Sequence, residues 1–326
     1  MSNDIVLVSS GYDMTIRFWS SLTTGAKSDY SIKYMDFAIN AMEMPPKKDK
    51  VVIGAGNSLK FFDFYKPSTP TLSINSHEGL LISILFPKNL DNIVISGGED
   101  CSVRINDIRV GKAVKTFMHS NYVNSLAIGN NNNDIIAADE NGTIKIWDIQ
   151  KGEMRNEYNS NMEEEGFAFR SISLAEKDGF LIGAKSNGNL YVFDYNINQG
   201  NFSEPKIINA HNKYITKCLL SPENNMLATC GADSKLKLWE RKKLVDEDGN
   251  IQTNNFGKPL LSTDFELNTV FIGHKMWVWD CDFTVDSQFL VSCSSDKTIK
   301  TWNILKKKLF STLTNEKGIN NIILCD

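Results

Sequence analysis

The sequence predicts an all-β protein in which seven similar units of short antiparallel strands close into a single ring. Three observations lead to this prediction. A strand–turn–strand pattern repeats along nearly the whole chain, all four histidines occupy one position of that repeat, and the C-terminal segment supplies a strand that the first unit lacks. All-β folds often form one domain at this length, so we expect residues 1–326 to be one domain.

Each repeat contains a polar turn followed by a strand that ends, in most repeats, at an aromatic residue. These end residues recur roughly every 40 to 46 positions, apart from a longer last interval. In order they are Trp19, Phe62, Asn106, Trp147, Phe193, Trp239 and Trp302. Apolar and basic residues alternate before them, as in Ile144, Lys145 and Ile146. Such alternation is typical of a strand with one solvated face.

Two more strands precede each turn. One ends directly before the turn, as in residues 92–96, and an earlier one begins the unit, as in residues 215–220. The strand that begins the unit shows apolar residues at helical spacing. Residues 215–220, however, are only six residues long and are followed by Ser221 and Pro222, so the segment is too short for a helix.

The four histidines decide how the repeat is interpreted. They are His77, His119, His211 and His274. Each lies four residues before an apolar strand and at a nearly constant distance before the Asp or Asn of a turn. One shared repeat position for every histidine indicates a structural role that recurs from unit to unit.

This pattern resembles the WD-repeat family, whose members form β-propellers with four antiparallel strands per blade. The resemblance covers nearly the whole chain and implies a single seven-bladed propeller. It also implies structural tetrads, in which a hydroxyl accepts the indole N–H of a Trp and a His bridges that hydroxyl to a carboxylate. The two predicted tetrads are His211, Thr229, Asp233 and Trp239, and His274, Ser292, Asp296 and Trp302.

The two ends of the chain complement each other. Residues 5–9 match the second strand of a blade with no first strand before them, whereas residues 319–324 match the first-strand pattern. An open ring would leave unpaired strand edges. We therefore expect blade one to combine residues 1–33 with 318–326, and a long loop, 241–271, to lie between blades six and seven.

Composition and motifs argue against several kinds of function. The chain has 35 Lys+Arg against 39 Asp+Glu, so no basic footprint for nucleic acid or an anionic membrane is expected. No apolar run reaches the length of a membrane span, and no secretory signal opens the chain. These features predict a cytosolic or nuclear protein without direct membrane insertion.

The histidines and glycines could also suggest catalytic, metal or phosphate sites. A His, a hydroxyl and an acid could form a hydrolase triad, but this set recurs in several repeats, whereas a catalytic site is normally made once. Histidines spaced around a ring would not converge on one metal ion. Gly54 and Gly56 are not followed by the Lys of a phosphate loop. We expect no enzymatic activity, metal or cofactor.

Large aromatic residues are expected at one mouth of the ring. The residue before each first strand should lie there, and Tyr122, Tyr214 and Trp277 hold that position. Tyr12 lies in a turn on the same face, and Trp279 lies just inside its strand. Exposed Trp and Tyr are common anchors of protein interfaces, so these five residues are the predicted protein-binding set. The alternative is that some of them pack against neighbouring loops.

Several segments resemble a narrower family, the G-protein-β-subunit-like proteins, which are small WD-repeat subunits of target-of-rapamycin (TOR) kinase complexes. The segments are residues 7–19, 97–101, 210–230 and 277–288. The resemblance implies a non-catalytic subunit that docks on the kinase domain and supports its activity in nutrient and growth signalling. Trp277 and Trp279 match an aromatic pair that faces the kinase in that family.

The partners implied are a TOR-type serine/threonine kinase and the other subunits of its complexes. We expect the chain to be monomeric on its own and cytoplasmic, with peripheral recruitment to endomembranes through the complex. A different WD-repeat scaffold, such as the substrate receptor of a ubiquitin ligase, is the alternative, although it would normally carry an added recruitment domain. An enzyme would need a single acid–base cluster at the mouth.

Two departures from the family pattern are visible. Asn106 stands where a Trp is expected, so His77, Ser96 and Asp100 should lack their indole donor. The connection 241–271 is longer than expected, and we predict that it is a mobile loop.

Overall fold

Each repeat of the sequence forms one antiparallel sheet, and seven such sheets stand in a ring in the computed structural model. The structure describes residues 6–26, 28–33, 37–64, 67–129, 132–160, 166–196, 199–246, 250–253 and 257–325. Within them, inner strands contact the inner strands of both neighbouring blades all the way round. The predicted seven-bladed propeller is confirmed.

The four main strands of every blade follow one another from the central channel outwards, and blades 1 to 7 are numbered around the ring. The inner strands are Ile319–Leu324, Ile39–Glu43, Leu81–Leu85, Val123–Gly129, Phe169–Ala175, Ile215–Leu220 and Val278–Phe283. The second strands are Leu7–Gly11, Lys50–Ala55, Ile93–Gly98, Asp134–Asp139, Phe180–Lys185, Met226–Gly231 and Phe289–Ser294. The third strands are Thr15–Trp19, Ser58–Asp63, Ser102–Asp107, Thr143–Asp148, Asn189–Asn196, Lys235–Lys243 and Thr298–Asn303. The outer strands are Tyr30–Lys33, Leu72–Asn75, Lys112–Met118, Glu153–Asn159, Lys206–Asn209, Leu261–Ile272 and Lys308–Thr314. A short strand, Asn201–Phe202, adds to blade 5.

Blade 1 is assembled from both ends of the chain, as predicted. The strand Ile319–Leu324 pairs antiparallel with Leu7–Gly11, with Leu7 opposite Leu324 and Ser9 opposite Ile322. Leu7, Ile322 and Leu324 are buried there. The pairing removes the two free edges that an open row of blades would expose. Residues 1–5, 27 and 326 of the predicted blade lie outside the described residues.

The core lies between the blades. The alternation seen in the sequence places apolar side chains of each sheet against those of the next, as where Leu236 and Leu238 of blade 6 pack with Val278 and Cys281 of blade 7. Cys218, Cys230, Cys281 and Cys293 are buried, unpaired thiols in these layers. They serve as small apolar side chains.

Side chains also link neighbouring inner strands by hydrogen bonds. The second residue of an inner strand donates to the first carbonyl of the next one: Asn320 to Ile39 at 2.7 Å, Asn40 to Leu81 at 3.3 Å, Asn124 to Phe169 at 3.1 Å and Thr216 to Val278 at 2.5 Å. These bonds cross four of the seven seams between blades. They hold successive sheets in one vertical register.

The segment 241–271 was expected to be a loop between blades six and seven, but it is a β-hairpin within blade 6. Residues 241–243 and 261–271 of the expected loop belong to the long third and outer strands of blade 6, and Val245 and Ile251 form a further bridge. Arg241 is buried, donates to the carbonyls of Leu261 and Ser262, and stacks 4.7 Å from the Phe180 ring of blade 5. These contacts anchor the base of the hairpin. Residues 247–249 and 254–256 lie outside the described residues.

None of the helices in the described part of the chain has the length and apolar character required to cross a bilayer.

Candidate protein-binding face

One side of the ring carries both kinds of loop in which functional residues were predicted. Because successive strands alternate in direction, the turns between second and third strands lie on the same side as the loops that precede inner strands. We call this side the upper face. The hairpin of blade 6 connects a third strand to an outer strand, so it leaves from the opposite side.

Blades 6 and 7 contain the two predicted tetrads. In blade 6, the Trp239 indole donates to Thr229 Oγ1 at 3.0 Å, and His211 lies 2.9 Å from Thr229 Oγ1 and 3.0 Å from Asp233. In blade 7, Trp302, Ser292, His274 and Asp296 repeat this geometry at 2.9 to 3.0 Å. A neutral His with its proton on Nδ1 satisfies every partner, since Nδ1 donates to the carboxylate and Nε2 accepts from the hydroxyl.

The carboxylates of these networks are held in their charged form. Burial alone would raise the pKa of Asp296, but hydrogen bonds from His274, Thr298 and the Lys275 backbone outweigh it and hold that pKa well below its usual range. The pKa of Asp100 in blade 3 is lowered to about 2, where burial is outweighed by hydrogen bonds from Ser102, the Glu78 backbone and His77. Each acid thus anchors its turn rather than exchanging protons near neutral pH.

Blade 3 replaces the missing indole with an amide. Asn106 Nδ2 donates to Ser96 Oγ at 3.0 Å, in the place of the expected Trp, and Asn106 Oδ1 accepts from Ser76 at 2.8 Å. His77 still bridges Ser96 and Asp100 at 2.8 and 2.9 Å. The Ser96 hydroxyl therefore accepts a hydrogen bond from the Asn106 amide where the indole of a Trp was expected. Asn106 and Ser76 together take the place of the Trp.

Blade 4 has the His and the Trp but not the hydroxyl. Ala137 occupies the position opposite Lys145, where Thr229 stands opposite Lys237 in blade 6. The nitrogens His119 Nε2 and Trp147 Nε1 are buried without a hydrogen-bond partner among the described residues. The acid nearest to His119 is Asp139 and not the turn residue Asn141. His119 Nδ1 lies 3.2 Å from Asp139 Oδ2, but the two atoms are not aligned for a hydrogen bond. The tetrad of this blade is incomplete.

Four of the five predicted binding aromatics form one continuous stack on the upper face. Tyr214 packs edge-on against Trp277 with ring centroids 5.1 Å apart, Trp277 lies 5.3 Å from Trp279, and Trp279 lies 5.9 Å from Tyr12. The stack crosses blades 6, 7 and 1. Tyr12 is 51% exposed and Trp277 is 37% exposed. Both of them offer apolar area to a partner.

Trp279 is the inner support of this stack. It is partly buried, packs on the core between blades 7 and 1, and donates its indole N–H to Ser295 Oγ at 2.6 Å. Its ring also lines the mouth of the central channel, a cavity of about 580 Å³. Trp279 therefore positions Tyr12 and Trp277 as well as adding its own surface.

Tyr122 lies apart from the stack, and two further aromatics were missed. Tyr122 is exposed at the upper edge of blade 4, without contact to the four stacked rings. Phe37 and Phe167 are also exposed on the upper face, each one residue before Ala38 or Ala168. Sequence reasoning placed the mouth position at the residue directly before each inner strand. Allowing one residue more would have included both phenylalanines.

Metal ligands are not grouped on the described residues. No cluster of three or more His, Cys, Asp or Glu side chains there is arranged to hold a metal ion.

The repeated fold agrees with sequence comparisons. The chain is 31% identical over 290 residues to a protein of Arabidopsis thaliana named non-functional target of rapamycin complex subunit LST8-2, covering 87% of this chain and 84% of the relative. It is 30% identical to target of rapamycin complex subunit wat1 of Schizosaccharomyces pombe, covering 74% and 76%. It is 29% identical to target of rapamycin complex subunit LST8 of Saccharomyces cerevisiae, covering 76% and 80%. The chain belongs to the LST8 family of WD-repeat proteins.

The repeat matches fall where the LST8-family chain keeps the His and Trp positions. The family "WD domain, G-beta repeat" matches residues 111–148, 202–240 and 265–303. Each match begins at, near or within the outer strand of one blade and ends at or within the third strand of the next. The blades completed in this way are 4, 6 and 7, which carry both a His and a Trp of the tetrad pattern. Blade 3, where Asn106 replaces the Trp, is not among them.

Proposed function

We propose that this protein is a non-catalytic subunit of a TOR complex and that it docks on the kinase domain through the aromatic stack of Tyr12, Tyr214, Trp277 and Trp279. Its relatives include proteins named as TOR complex subunits. One relative carries a name that includes the word non-functional, so family membership alone does not carry the proposal. The observation that carries it is the stack, because Trp and Tyr on an exposed surface are the side chains that dominate protein interfaces.

The proposal includes the absence of catalysis. The His–hydroxyl–acid sets of blades 3, 6 and 7 are buried, and their hydroxyls are occupied by an indole or amide donor as well as by the histidine. A nucleophile must be able to approach its substrate, and these hydroxyls lie within the sheets. We also propose that the chain acts as a monomer in the cytoplasm and reaches endomembranes only through the complex.

The test is recovery of the kinase from the source cell. Tagged wild-type protein should co-purify with the TOR kinase, identified by mass spectrometry. Trp277→Ala together with Tyr214→Ala should lower this recovery at least tenfold, since the loss of two of the four stacked aromatics should cost more than about 2 kcal/mol of binding. The melting temperature should stay within a few degrees, because Trp277 is exposed and Tyr214 is only half-buried.

The matched control is Leu305→Ala. Leu305 is 88% exposed in the turn between the third and outer strands of blade 7, the blade of Trp277, on the opposite side from the stack. It should leave recovery unchanged. Recovery of a ubiquitin ligase instead of the kinase would support the alternative scaffold, and normal kinase recovery by the double variant would refute docking through the stack.

A further inference from the structure

The upper face carries opposite charges at equivalent repeat positions on opposite sides of the ring. Glu78 follows His77 in blade 3, and Lys275 follows His274 in blade 7. Both are exposed, and each backbone N–H donates to the acid of its own tetrad, Glu78 to Asp100 at 3.0 Å and Lys275 to Asp296 at 2.9 Å. The side chains of Glu78 and Lys275 therefore extend from equivalent backbone positions and carry opposite charges.

The half of the upper face around the stack is basic. Its exposed lysines belong to blades 6, 7 and 1 and are Lys213, Lys275, Lys297 and Lys317. Exposed Glu316 shares this half, and Asp13 is paired with Arg17. The acids of the two tetrads are charged but largely withdrawn from the surface, with 8% of the Asp233 side chain and 6% of the Asp296 side chain exposed. Lysine charge therefore surrounds the aromatic stack.

The opposite half is acidic. Glu78 is exposed beside the mouth, and Glu99 and Glu140 are half-buried at equivalent turn positions of blades 3 and 4. Glu140 is paired with Arg170 of blade 5 at 2.9 Å, which offsets part of this charge. The face thus has an apolar stack within a basic half and, across the channel mouth, an acidic half.

We propose that this charge division selects the orientation of the docked kinase. The kinase surface that fits presents acidic side chains to blades 6, 7 and 1, where it also covers the stack, and basic side chains to blades 3 and 4. This inference rests on the proposed function and adds the chemistry of the partner. Complementary charges at the rim of an interface steer encounter and disfavour wrong orientations, whereas buried aromatics dominate the rate of dissociation.

The test measures association kinetics of purified full-length TOR kinase of the same organism with immobilised protein, at about 50 mM and 300 mM salt. Lys275→Glu and Glu78→Lys each should slow association about three- to tenfold at low salt and much less at high salt. Dissociation should change less than twofold. Lys306→Glu is the control for Lys275→Glu, because Lys306 is exposed in the same blade on the opposite side and its replacement changes the net charge by the same amount. It should associate like the wild type.

The outcomes separate the two proposals. If Trp277→Ala weakens binding but both charge variants associate like Lys306→Glu, the charge division is irrelevant and this inference is overturned while the docking proposal stands. If the wild type does not bind the kinase, both proposals fail. If sedimentation shows a wild-type dimer at about 10 μM that Glu78→Lys dissociates, the two halves serve a second copy of this chain, which also overturns the inference.

Discussion

The seam between blades 5 and 6 and the seam between blades 7 and 1 use the same positions with different chemistry. At the first seam, Ser171 and Ser173 accept the backbone N–H groups of Cys218 and Leu220 at 3.1 and 3.2 Å. At the second, Asp280 and Asp282 accept those of Ile322 and Leu324 at 3.1 and 2.9 Å. Both pairs are the third and fifth residues of an inner strand. Carboxylates therefore stand at the closing seam, between blades 7 and 1, where hydroxyls stand at the seam between blades 5 and 6.

The difference concerns how the closing strand is held. Ile319–Leu324 reaches the second strand of its blade through pairing alone, whereas the inner strand of every other blade leads directly into its second strand. Hydrogen bonds to a charged acceptor are stronger than those to a hydroxyl. An ionised carboxylate therefore gives the closing strand a stronger lateral bond than a hydroxyl does, but a carboxyl that titrates also makes this seam sensitive to pH.

The largest effect should follow from removing the closing strand. Deletion of residues 318–326 leaves Leu7–Gly11 with an open edge and uncovers the buried side chains of Leu7 and Val8. We expect no soluble monomer by size-exclusion chromatography and no cooperative melting transition, because an uncovered strand edge favours aggregation. A synthetic peptide of residues 318–325 added during refolding should restore soluble protein. An unchanged melting curve for the truncated chain would show that the ring does not depend on this strand.

A single carboxylate of the closing seam should have the next largest effect. Asp280→Ala leaves the Ile322 N–H without its acceptor and removes the partner of Lys217, which lies 3.5 Å away. We expect a loss of about 3 kcal/mol in the free energy of unfolding, measured with urea at pH 7. A loss below about 1 kcal/mol would show that the seam is held by apolar packing instead.

The equivalent hydroxyl should matter less. Ser171→Ala removes the acceptor of the Cys218 N–H and a bond to the Cys218 carbonyl, both neutral. The expected loss is about 1.5 kcal/mol under the same conditions. If this loss equals or exceeds that of Asp280→Ala, charge adds nothing at the closing seam and the comparison between the two seams fails.

The fold could be predicted because its signals repeat. A turn residue, an alternating strand and an end residue such as Trp239 or Trp302 recur in each blade, and the same hydrogen bonds result wherever the residue types are kept. Closure could be predicted for the same reason, since residues 319–324 match a strand type that blade 1 lacked. The prediction of a loop at 241–271 was wrong for residues 241–243 and 261–271, which are strand. The long strands of blade 6 bury only part of their length, which weakens the alternation of apolar and polar residues in the sequence.

Contacts between blades could not be predicted in the same way. The third position of the inner strand holds Ser171 in blade 5, Lys217 in blade 6 and Asp280 in blade 7, so no common residue type marks it. The aromatic stack was predicted as a set of mouth residues, but the contact between Tyr12 and Trp279 depends on how blade 1 closes against blade 7. Tyr122 shares the repeat position of Tyr214 but lies on blade 4, too far round the ring to join the stack.

The smallest predicted effect is a change in pH dependence at Asp282. Burial raises the pKa of Asp282 to about 7; Asp280 and Glu43 add to this rise, while the hydrogen bond from Leu324 and the charge of Lys217 oppose it. Because this pKa lies above the ordinary value of 3.8, the folded state holds a proton that the unfolded chain has lost between these pH values. The stabilisation is complete below about pH 4 and disappears as the pH rises through 7.

Replacing this carboxyl by an amide should flatten that dependence. Asp282→Asn keeps an oxygen acceptor for the Leu324 N–H but cannot ionise, so we expect its free energy of unfolding to change less between pH 6 and pH 8 than that of the wild type, by about 1 kcal/mol. Urea unfolding at both pH values measures the difference. Ser173→Ala is the control, since it removes the equivalent acceptor at the seam between blades 5 and 6 without removing a titrating group. It should keep the wild-type slope, and an Asp282→Asn protein with that same slope would show that Asp282 does not titrate in this range.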